Sequence, residues 1–391
     1  MTDYRYNSPV FIKKCDTYDE NMLCGIIRDG FRELSLGSEL FENKVVLIKP
    51  NLVLAKAPDH AATTHPAFVR ATARILRELG AKDVILADSP GGPYNAAALS
   101  RVYSVCGMEK AAWDGLFRLN DNFGFSPVFP NLEKLKTMDI IDVLSSADVI
   151  IDLCRLKTHT LTGMSCAVKN LFGLIPGVEK FQMHSNFPEI QNFSAMLTDL
   201  AEFTLTEKKF IAICDAVIGM EGNGPSYGTP KFAGLSLISE SPFSLDIIAE
   251  RIINGKNGGA QIPYLDIAAL RGLVPRDWKS ITVLGDIDYD AVGFKTPDTN
   301  AGLFLKKLPD MFGGRIAGLF SARPYINKMK CIGCGKCASS CPRHTISIVN
   351  SRGKKLAKID PSGCIRCYCC SELCPIGAVD TKKNILIKLI H

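Results

Sequence analysis

The sequence predicts an α/β domain, with a mostly parallel sheet and helices on both faces, followed by a small cysteine-rich α+β domain. Residues 1–320 alternate apolar, strand-like runs with helix-like segments, which is the pattern of a parallel α/β sheet. Nine of the 15 cysteines lie between Cys331 and Cys374. A chain of 391 residues also exceeds one comfortable hydrophobic core. We therefore expect an α/β domain at 1–302, a connector at 303–321 and the cysteine-rich domain at 322–391.

The elements of the first domain follow from local patterns. Each predicted strand is an apolar run that ends in polar residues or glycines, and each predicted helix has apolar residues at a 3.6-residue period. The helix at His65–Gly80 also has a proline near its start and a glycine at its end. Strands are predicted within Lys44–Asn51, Asp83–Gly92, Ala147–Thr160, Phe210–Pro225 and Ser280–Ile287, and a second helix within Pro242–Gly255.

Polar side chains follow several of these strands in the same relation. In open α/β sheets, ligands bind beyond the carboxyl ends of the strands. As a set, these residues predict a cleft for an anionic small molecule. Any one of them alone would be an ordinary polar residue where a strand ends and a loop begins. The expected substrate-binding residues are Lys49, Asn51, Asp88, Ser89, Lys157, Asn170 and Asn223, and the expected catalytic residues are His159, Lys169 and Glu221.

The expected roles within this cleft rest on charge. Lys157 and Lys169 would hold the anion, and His159 or Glu221 would supply a proton. Small residues before Lys169 would form a loop and helix start that presents backbone N–H groups to an anion. Lys169 would otherwise pair with Glu221 or Asp215 in a structural network. The sequence leaves these two readings of Lys169 open.

Two cysteine runs carry the strongest signal. Each has the spacing C-x-x-C-x-x-C-x-x-x-C-P, beginning at Cys331 and at Cys364, and this is the signature of a two-cluster bacterial ferredoxin. A zinc site or a disulfide framework fits this spacing less well. The fourth cysteine of each run ligates the cluster of the other run. One [4Fe–4S] cluster is therefore expected on Cys331, Cys334, Cys337 and Cys374, and the second on Cys341, Cys364, Cys367 and Cys370.

Two further features belong to this region. Cys369 is expected to be a small buried residue beside a cluster and not a ninth ligand. Between the two runs, the segment 347–360 predicts a hairpin with Arg352 and Gly353 at its turn. Upstream, the apolar and basic segment 303–324 is broken by Pro309 and two glycines, which favours a connector over a membrane-surface helix.

Charge is distributed unevenly along the chain. Residues from Ser321 to the end include 13 Lys and Arg but only 3 Asp and Glu, whereas the remainder has 33 and 37. Apart from ordinary solvated lysines, this predicts docking of the basic tail on the acidic first domain or on an acidic electron-donor protein, such as a flavodoxin or ferredoxin. No nucleic-acid-binding motif is present, so nucleic acid is not an expected partner.

Several function classes are not supported. The sequence has neither a G-x-G-x-x-G fingerprint nor a G-x-x-x-x-G-K-[ST] loop, which argues against NAD, FAD in its common fold and ATP. FMN has no short signature, so a flavin stays open but unsupported. No apolar run reaches the ~18 residues of a membrane span, and the N-terminus lacks a signal-peptide pattern. We expect a cytoplasmic protein of a reducing, oxygen-poor compartment.

The motifs together resemble those of the domain-of-unknown-function 362 family, fused here to a C-terminal bacterial-type ferredoxin. The resemblance covers Pro9 to Gly255 and the whole ferredoxin part. It implies an iron–sulfur protein of the kind found in anaerobes and archaea, and it implies little chemistry. The matching motifs are Lys49-Pro50-Asn51, Asp88-Ser89-Pro90, Leu156 to His159, Val168 to Gly173, Asp215, and Met220 to Pro225.

Three hypotheses for function follow. The leading one is an oxidoreductase that passes low-potential electrons from two clusters to an anionic small molecule in the α/β domain. The second is an electron carrier or adaptor that docks on a larger oxidoreductase, and the third, which is weaker, is cluster delivery to another protein. The sequence predicts neither the substrate, the electron donor, the oligomeric state nor the role of residues 256–320.

Overall fold

The computed structural model describes residues 4–255, 261–285, 292–297, 322–351 and 353–382. The predicted connector at 303–321 lies outside the described residues. Within the described ranges the chain has the expected architecture, which is a large α/β domain followed by a small ferredoxin-like module. No helix in those ranges is both long and apolar enough to cross a membrane.

A nine-stranded sheet forms the centre of the first domain. Its order is β11-β1-β10-β9-β7-β2-β3-β4, with β8 paired to β7. All pairings are parallel except those of β10 and β8, and β5 and β6 form a separate antiparallel pair. The strands are Val10–Lys14 (β1), Val45–Pro50 (β2), Asp83–Leu86 (β3), Arg118–Leu119 (β4), Phe125–Val128 (β5), Met138–Ile141 (β6), Val149–His159 (β7), Gly163–Ser165 (β8), Lys209–Glu221 (β9), Thr229–Ser239 (β10) and Val283–Leu284 (β11).

Helices cover both faces of this sheet. Successive residues of β2 point to opposite faces, so that Leu47 packs in one apolar layer and Val46 and Ile48 pack in the other. The first layer also includes α8, α9 and α10, and the second includes α1, α2 and α3. The helices are Glu20–Glu33 (α1), Pro66–Glu78 (α2), Ala96–Val105 (α3), Met108–Ala111 (α4), Val143–Ser146 (α5), Ala167–Asn170 (α6), Glu179–Asn186 (α7), Ile190–Glu207 (α8), Pro242–Asn254 (α9) and Pro263–Leu270 (α10).

The sheet has a topological switch point between β2 and β7. From β2 the chain proceeds to β3 and β4 on one side, whereas β7 and then β9 lie on the other side. Crevices at such points, outside the carboxyl ends of the strands, are the usual ligand sites of open α/β sheets. β7 extends past the end of β2, so that Lys157 and His159 stand at the rim, where β8 pairs with them. The fold therefore places the ends of β2 and β7 side by side.

The ferredoxin-like module is built from two antiparallel pairs of strands and two short helices. Its strands are Arg323–Ile326 (β12), Ile346–Ser351 (β13), Lys354–Ile359 (β14) and Val379–Lys382 (β15), and its helices are Lys336–Ser339 (α11) and Cys369–Glu372 (α12). β12 pairs with β15 and β13 pairs with β14, both antiparallel. The predicted hairpin between the cysteine runs is therefore present. Four cysteines take part in the small core of this module.

Two details of the sheet differ from the sequence-based expectation. The strand expected at 280–287 is only two residues long, Val283–Leu284. The antiparallel strand β10 was not expected at all, because its outer half is polar and exposed and so lacks a buried-strand pattern. It follows β9 through a seven-residue connection at 222–228, which suffices for antiparallel pairing but not for a parallel crossover.

Candidate functional site

A cavity of about 640 Å³, including its open mouth, lies at the switch point and is closed on one side by the ferredoxin-like module. It collects most of the residues expected to form a cleft. Two of the expected residues, Glu221 and Asn223, are not part of its lining. The expected residues that do line the cavity are Lys49, Asn51, Asp88, Ser89, Lys157, His159, Lys169 and Asn170.

Lys49 and Asp88 line the cavity and form a buried ion pair with each other. The Lys49 Nζ lies 2.9 Å from Asp88 Oδ1 and also donates to the carbonyl of Pro50 at 2.8 Å and to Asn170 Oδ1 at 3.2 Å. A Cβ at Gly173 would lie 1.9 Å from Asp88 Oδ1, so this glycine is required for the close approach. These partners indicate that Lys49 and Asp88 support the site and do not bind a ligand charge directly.

Two buried lysines have weakened charge. Lys157 donates to Asn51 Oδ1 at 2.9 Å and to the carbonyl of Ala62 at 2.7 Å, and Lys180 donates to the carbonyl of Ser89. Burial lowers the pKa of Lys157 to about 7 and the pKa of Lys180 to about 7. Each ammonium is therefore close to half-protonated at neutral pH, which suits a group that gives and takes protons.

Lys169 is a third lysine of the cavity, and burial lowers its pKa as well. In the part of the chain that the structure describes, its ammonium has no hydrogen-bond or ion-pair partner, and it lies 4.5 Å from the centroid of the Phe172 ring. The alternative partners considered from the sequence are occupied elsewhere, since Asp215 pairs with Arg155 at 2.8 Å and Glu221 with Lys295 at 3.9 Å. Lys169 is thus an ammonium at the cavity to which no described residue supplies a counter-ion in contact.

The loop before Lys169 does not present an anion cradle to the cavity. The backbone N–H groups of Ala167 and Val168 donate to the carboxylate of Asp246 at 2.7 and 3.1 Å. The hydroxyl of Tyr264 donates to the same carboxylate at 2.9 Å. A resident side chain therefore occupies the donors that were expected to face a ligand, because α9 packs against α6.

His159 has a defined tautomer. Its Nδ1 accepts the backbone N–H groups of Leu161 at 3.0 Å and Thr162 at 3.4 Å, so the ring hydrogen is on Nε2. Burial, with Lys169 and Lys157 nearby, holds its pKa well below the usual range. His159 is therefore a neutral hydrogen-bond donor at the cavity. The expected second proton source, Glu221, instead accepts the backbone N–H of Lys295 at 3.0 Å.

The ferredoxin-like module supplies the residues that sequence reasoning missed. Cys369, Glu372 and Leu373, on α12 and directly after it, line the cavity opposite the lysines. Glu372 Oε1 lies 3.4 Å from His159 Nε2 but has no hydrogen-bond partner among the described residues. Burial raises the pKa of Glu372, against the opposing charge of Lys169. The sequence contains no local signal for this docking.

Apolar and backbone contacts fix the module on the sheet domain. The Tyr227 hydroxyl donates to the carbonyl of Cys374, and a Cβ at Gly91 would meet the Leu373 side chain at 2.6 Å. The basic tail was expected to dock through its positive charge. At the cavity the polarity is reversed, because the acid Glu372 belongs to the basic module and the lysines belong to the acidic domain.

The eight predicted cluster ligands line two separate cavities of about 330 Å³ each. The grouping is the one expected from the crossed spacing of a two-cluster ferredoxin. The first cavity is lined by Cys331, Cys334, Cys337 and Cys374, and the second by Cys341, Cys364, Cys367 and Cys370.

Backbone donors around the sulfurs fit an iron–sulfur site. The N–H of Ala378 donates to Cys374 Sγ at 3.1 Å, and the N–H of Thr345 donates to Cys341 Sγ at 3.4 Å. In each run the donor follows the fourth cysteine by four residues, in keeping with the internal duplication. Such N–H groups stabilise thiolate and tune cluster potentials. The residues present therefore fit two [4Fe–4S] clusters.

Cys369 is buried, as expected from the sequence, and connects the second cluster cavity with the large cavity. It lines the large cavity, and its thiol hydrogen-bonds to Cys367, which lowers the pKa of the Cys367 thiol. Cys369 and Cys370 are also adjacent on α12. The helix that carries a predicted cluster ligand is thus part of the wall of the large cavity.

A further group of thiols lies in the core of the sheet domain. Cys166 Sγ is 3.6 Å from Cys154 Sγ and 3.5 Å from Cys214 Sγ, and all three residues are fully buried. Burial raises the pKa of each thiol well above its usual range. These cysteines pack as small apolar side chains, since an inert thiol is the expected state of a deeply buried cysteine.

Two known proteins are similar to parts of this chain. The chain is 28% identical to the "Thylakoid-associated protein sll1697" of Synechocystis sp. over 302 residues, which is 72% of this chain and 90% of that protein. A crystal structure of a Thermotoga maritima protein matches with a TM-score of 0.37 and 12% identity, covering 67% of this chain and 61% of that chain, and this likeness is too low to support an argument.

Two family models match directly. The model for a 4Fe-4S dicluster domain matches residues 330–378, which include all eight cysteines of the two cluster cavities. The model described as "Domain of unknown function (DUF362)" matches residues 46–251, which include the strand ends around the large cavity. The chain therefore belongs to the DUF362 family and carries a C-terminal 4Fe-4S dicluster domain.

Proposed function

We propose that this protein is an iron–sulfur oxidoreductase that passes low-potential electrons from two [4Fe–4S] clusters to a small anionic molecule bound in the large cavity. One observation carries the proposal. A single cavity is lined both by the lysines of the sheet domain and by Cys369, the neighbour of the predicted cluster ligand Cys370. When bound, the clusters supply one electron at a time at low potential.

The residues of the cavity have separate roles in this proposal. Lys169 attracts the anion, since its ammonium has no counter-ion in contact among the described residues. Lys157 donates a proton at neutral pH, because its pKa is lowered to about 7. His159 orients the ligand through its Nε2–H, and Lys49 with Asp88 keeps the floor in place.

Electrons would enter through the exposed side of the first cluster cavity. Cys334 is exposed, and the neighbouring apolar residues Met329 and Ile332 are 90% and 60% exposed. Lys328, Lys330 and Lys336 are close in sequence to this exposed group. An acidic electron-donor protein fits such a basic and apolar face, because charge steers its approach and apolar contacts hold it.

The same exposed face favours a second candidate, an electron carrier or adaptor that docks on a larger oxidoreductase. That role needs no ligand site in the sheet domain. The set of cationic side chains that line one cavity counts against it, since an electron carrier needs no charged ligand site. We therefore place the carrier function second.

Cluster reoxidation distinguishes the two functions. Anaerobically purified protein would be reduced with dithionite, freed of excess reductant and mixed with a panel of small organic anions that are reducible. We expect at least one anion to reoxidise the clusters in the wild type, seen by visible absorbance. The K169M variant, with iron content matched to the wild type, should react at least about tenfold more slowly.

The control is K136M, which removes an exposed lysine away from the cavity. It should behave as the wild type. Equal reoxidation rates in K169M and the wild type would contradict the site. A complete lack of reoxidation by any anion, with rapid electron transfer to an acceptor protein, would favour the carrier.

A further inference from the structure

We infer that the ligand of the large cavity is a monocarboxylate that also carries a hydroxyl group, with the carboxylate at Lys169 and the hydroxyl at Glu372. This inference rests on the site of the proposed function and adds the chemical class of its ligand. Three features of the cavity carry it: the balance of charge, the buried oxygens of Ser89 and Glu372 that form no hydrogen bond with a described residue, and the separation of the recognition groups onto two domains.

The balance of charge favours one negative charge on the ligand. Lys49 is neutralised by Asp88 at 2.9 Å, and Lys157 and Lys180 carry only part of a charge at neutral pH. Lys169 is then the cation that lacks a counter-ion among the described residues. A dianion such as a phosphate would also face the carboxyl group of Glu372 in the same cavity. A monocarboxylate satisfies Lys169 and, with one negative charge in place of two, meets less of that repulsion.

Three buried oxygens of the cavity lining lack a hydrogen-bond partner among the described residues. The Lys49 ammonium contacts Asp88 Oδ1 at 2.9 Å. The hydroxyl of Ser89, a residue 1% exposed, has no such contact in the described part of the chain, and Glu372 Oε1 has only His159 Nε2 at 3.4 Å. A buried polar atom without a partner costs free energy, which a ligand recovers by pairing with it. A hydroxyl both donates and accepts, so it pairs with Ser89 and with either protonation state of Glu372. An ammonium or a plain alkyl group lacks this property.

The two recognition groups belong to different parts of the chain. Lys169 is on α6 of the sheet domain and Glu372 is on α12 of the ferredoxin-like module. Each acts on the charge of the other, yet they form no ion pair in contact. A ligand between them completes the pairing across the interface. The ligand site is therefore whole only when the module is docked.

The rest of the cavity lining includes apolar side chains, which guide the choice of a test ligand. Phe172, Phe181 and Leu373 line the cavity beside these polar groups. A phenyl ring therefore suits a test compound. We would compare 3-phenyllactate, which has a carboxylate and a hydroxyl, with 3-phenylpropanoate, which lacks the hydroxyl, and with 2-phenylethanol, which lacks the carboxylate.

The experiment is isothermal titration calorimetry on anaerobically purified, full-length protein. We expect 3-phenyllactate to bind about tenfold more tightly than 3-phenylpropanoate, which is the usual value of one hydrogen bond to a buried charged or polar group. The K169M variant should lose affinity for both acids. The E372L variant should bind the two acids equally, and S89A should reduce the difference. K136M should change neither affinity.

The outcomes distinguish failure of the hydroxyl assignment from failure of the anion site at Lys169. Equal binding of the two acids by the wild type would overturn the hydroxyl assignment and leave the anion site of the proposed function standing. Stronger binding of 3-phenyllactate that persists in E372L and S89A would also overturn it. If neither acid binds, or if K169M binds both as the wild type does, the ligand class and the anion site fail together.

Discussion

The sheet domain and the ferredoxin-like module are held together by different means. The sheet domain buries two extensive apolar layers and pairs its buried charges, as in Arg155 with Asp215 at 2.8 Å. The module has a single small core in which cysteines make up much of the buried surface. Small domains of this kind usually depend on bound metal for stability. We therefore expect the sheet domain to fold by apolar burial and the module to depend on bound iron–sulfur clusters.

Removal of the clusters should separate the two regions most strongly. A C364S/C367S variant lacks two of the four thiols in the second cluster cavity, and we expect it to lose about half of its iron. Amide hydrogen exchange should become fast in β13 and β14 of the module, because metal binding supplies much of its folding free energy. The amides of β7 and β9 should stay protected. Retained protection throughout the module would show that it does not need this cluster.

Loss of a buried ion pair should destabilise the sheet domain and leave the ferredoxin-like module unchanged. R155M leaves Asp215 buried without its charge partner, and we expect a loss of about 3–5 kcal/mol in the free energy of unfolding by urea. Iron content per chain should be unchanged at low denaturant. The matched control is R118M, whose pair with Asp83 is half-exposed, and it should cost roughly 0–1 kcal/mol. Equal costs for the two variants would contradict the importance of buried pairing.

The cavity between the two regions should respond to pH in a defined direction. Burial lowers the pKa of Lys157 and of Lys180 to about 7, so both lose their positive charge as the pH rises through 7. Affinity for 3-phenyllactate should therefore fall, by about tenfold between pH 6 and pH 9, as measured by calorimetry. A K157M/K180M variant should bind more weakly at pH 6 and show a flatter profile. Affinity that increases with pH would contradict this account.

A smaller effect tests the contact between the regions. Y227F removes the hydroxyl that donates to the carbonyl of Cys374, and one such hydrogen bond contributes about 1 kcal/mol. We expect modestly faster amide exchange in α12, with the sheet strands and the iron content unchanged. S126A removes a hydroxyl that donates to Asp142 far from the module and serves as the control. Equal exchange in α12 for both variants would show that Tyr227 does not fix the module.

Local sequence patterns predicted the parts of the site that depend on one segment. The polar side chains at the strand ends lie at one edge of the sheet, because Lys49 and Lys157 are near the carboxyl ends of two neighbouring parallel strands. The cysteine spacing predicted the two groups of ligands, since thiols on one tight loop must share a cluster. The mostly parallel sheet and the helices on both faces follow from the alternation of strands and helices, whereas the strand order was not predicted.

Long-range pairing could not be predicted in this way. Whether a lysine has an ion-pair partner depends on residues distant in sequence. Lys49, which pairs with Asp88, and Lys169, which pairs with no described residue, therefore have similar sequence patterns. The carboxylate of Asp246 accepts the backbone N–H groups that precede Lys169, and this contact is also between residues distant in sequence. Glu372 was missed because docking of the module depends on surface shape and not on a motif. Glu221 lies outside the cavity lining and near Lys295, a contact that its strand-end position did not predict.

The central claim is that the ligand cavity and an iron–sulfur cluster form one junction. Electron paramagnetic resonance of the dithionite-reduced protein, with and without 3-phenyllactate, tests it most directly. We predict that the ligand changes the signal of one cluster and not of the other, and that K169M abolishes the change. Tight binding of the ligand without any change in either signal would contradict the claim.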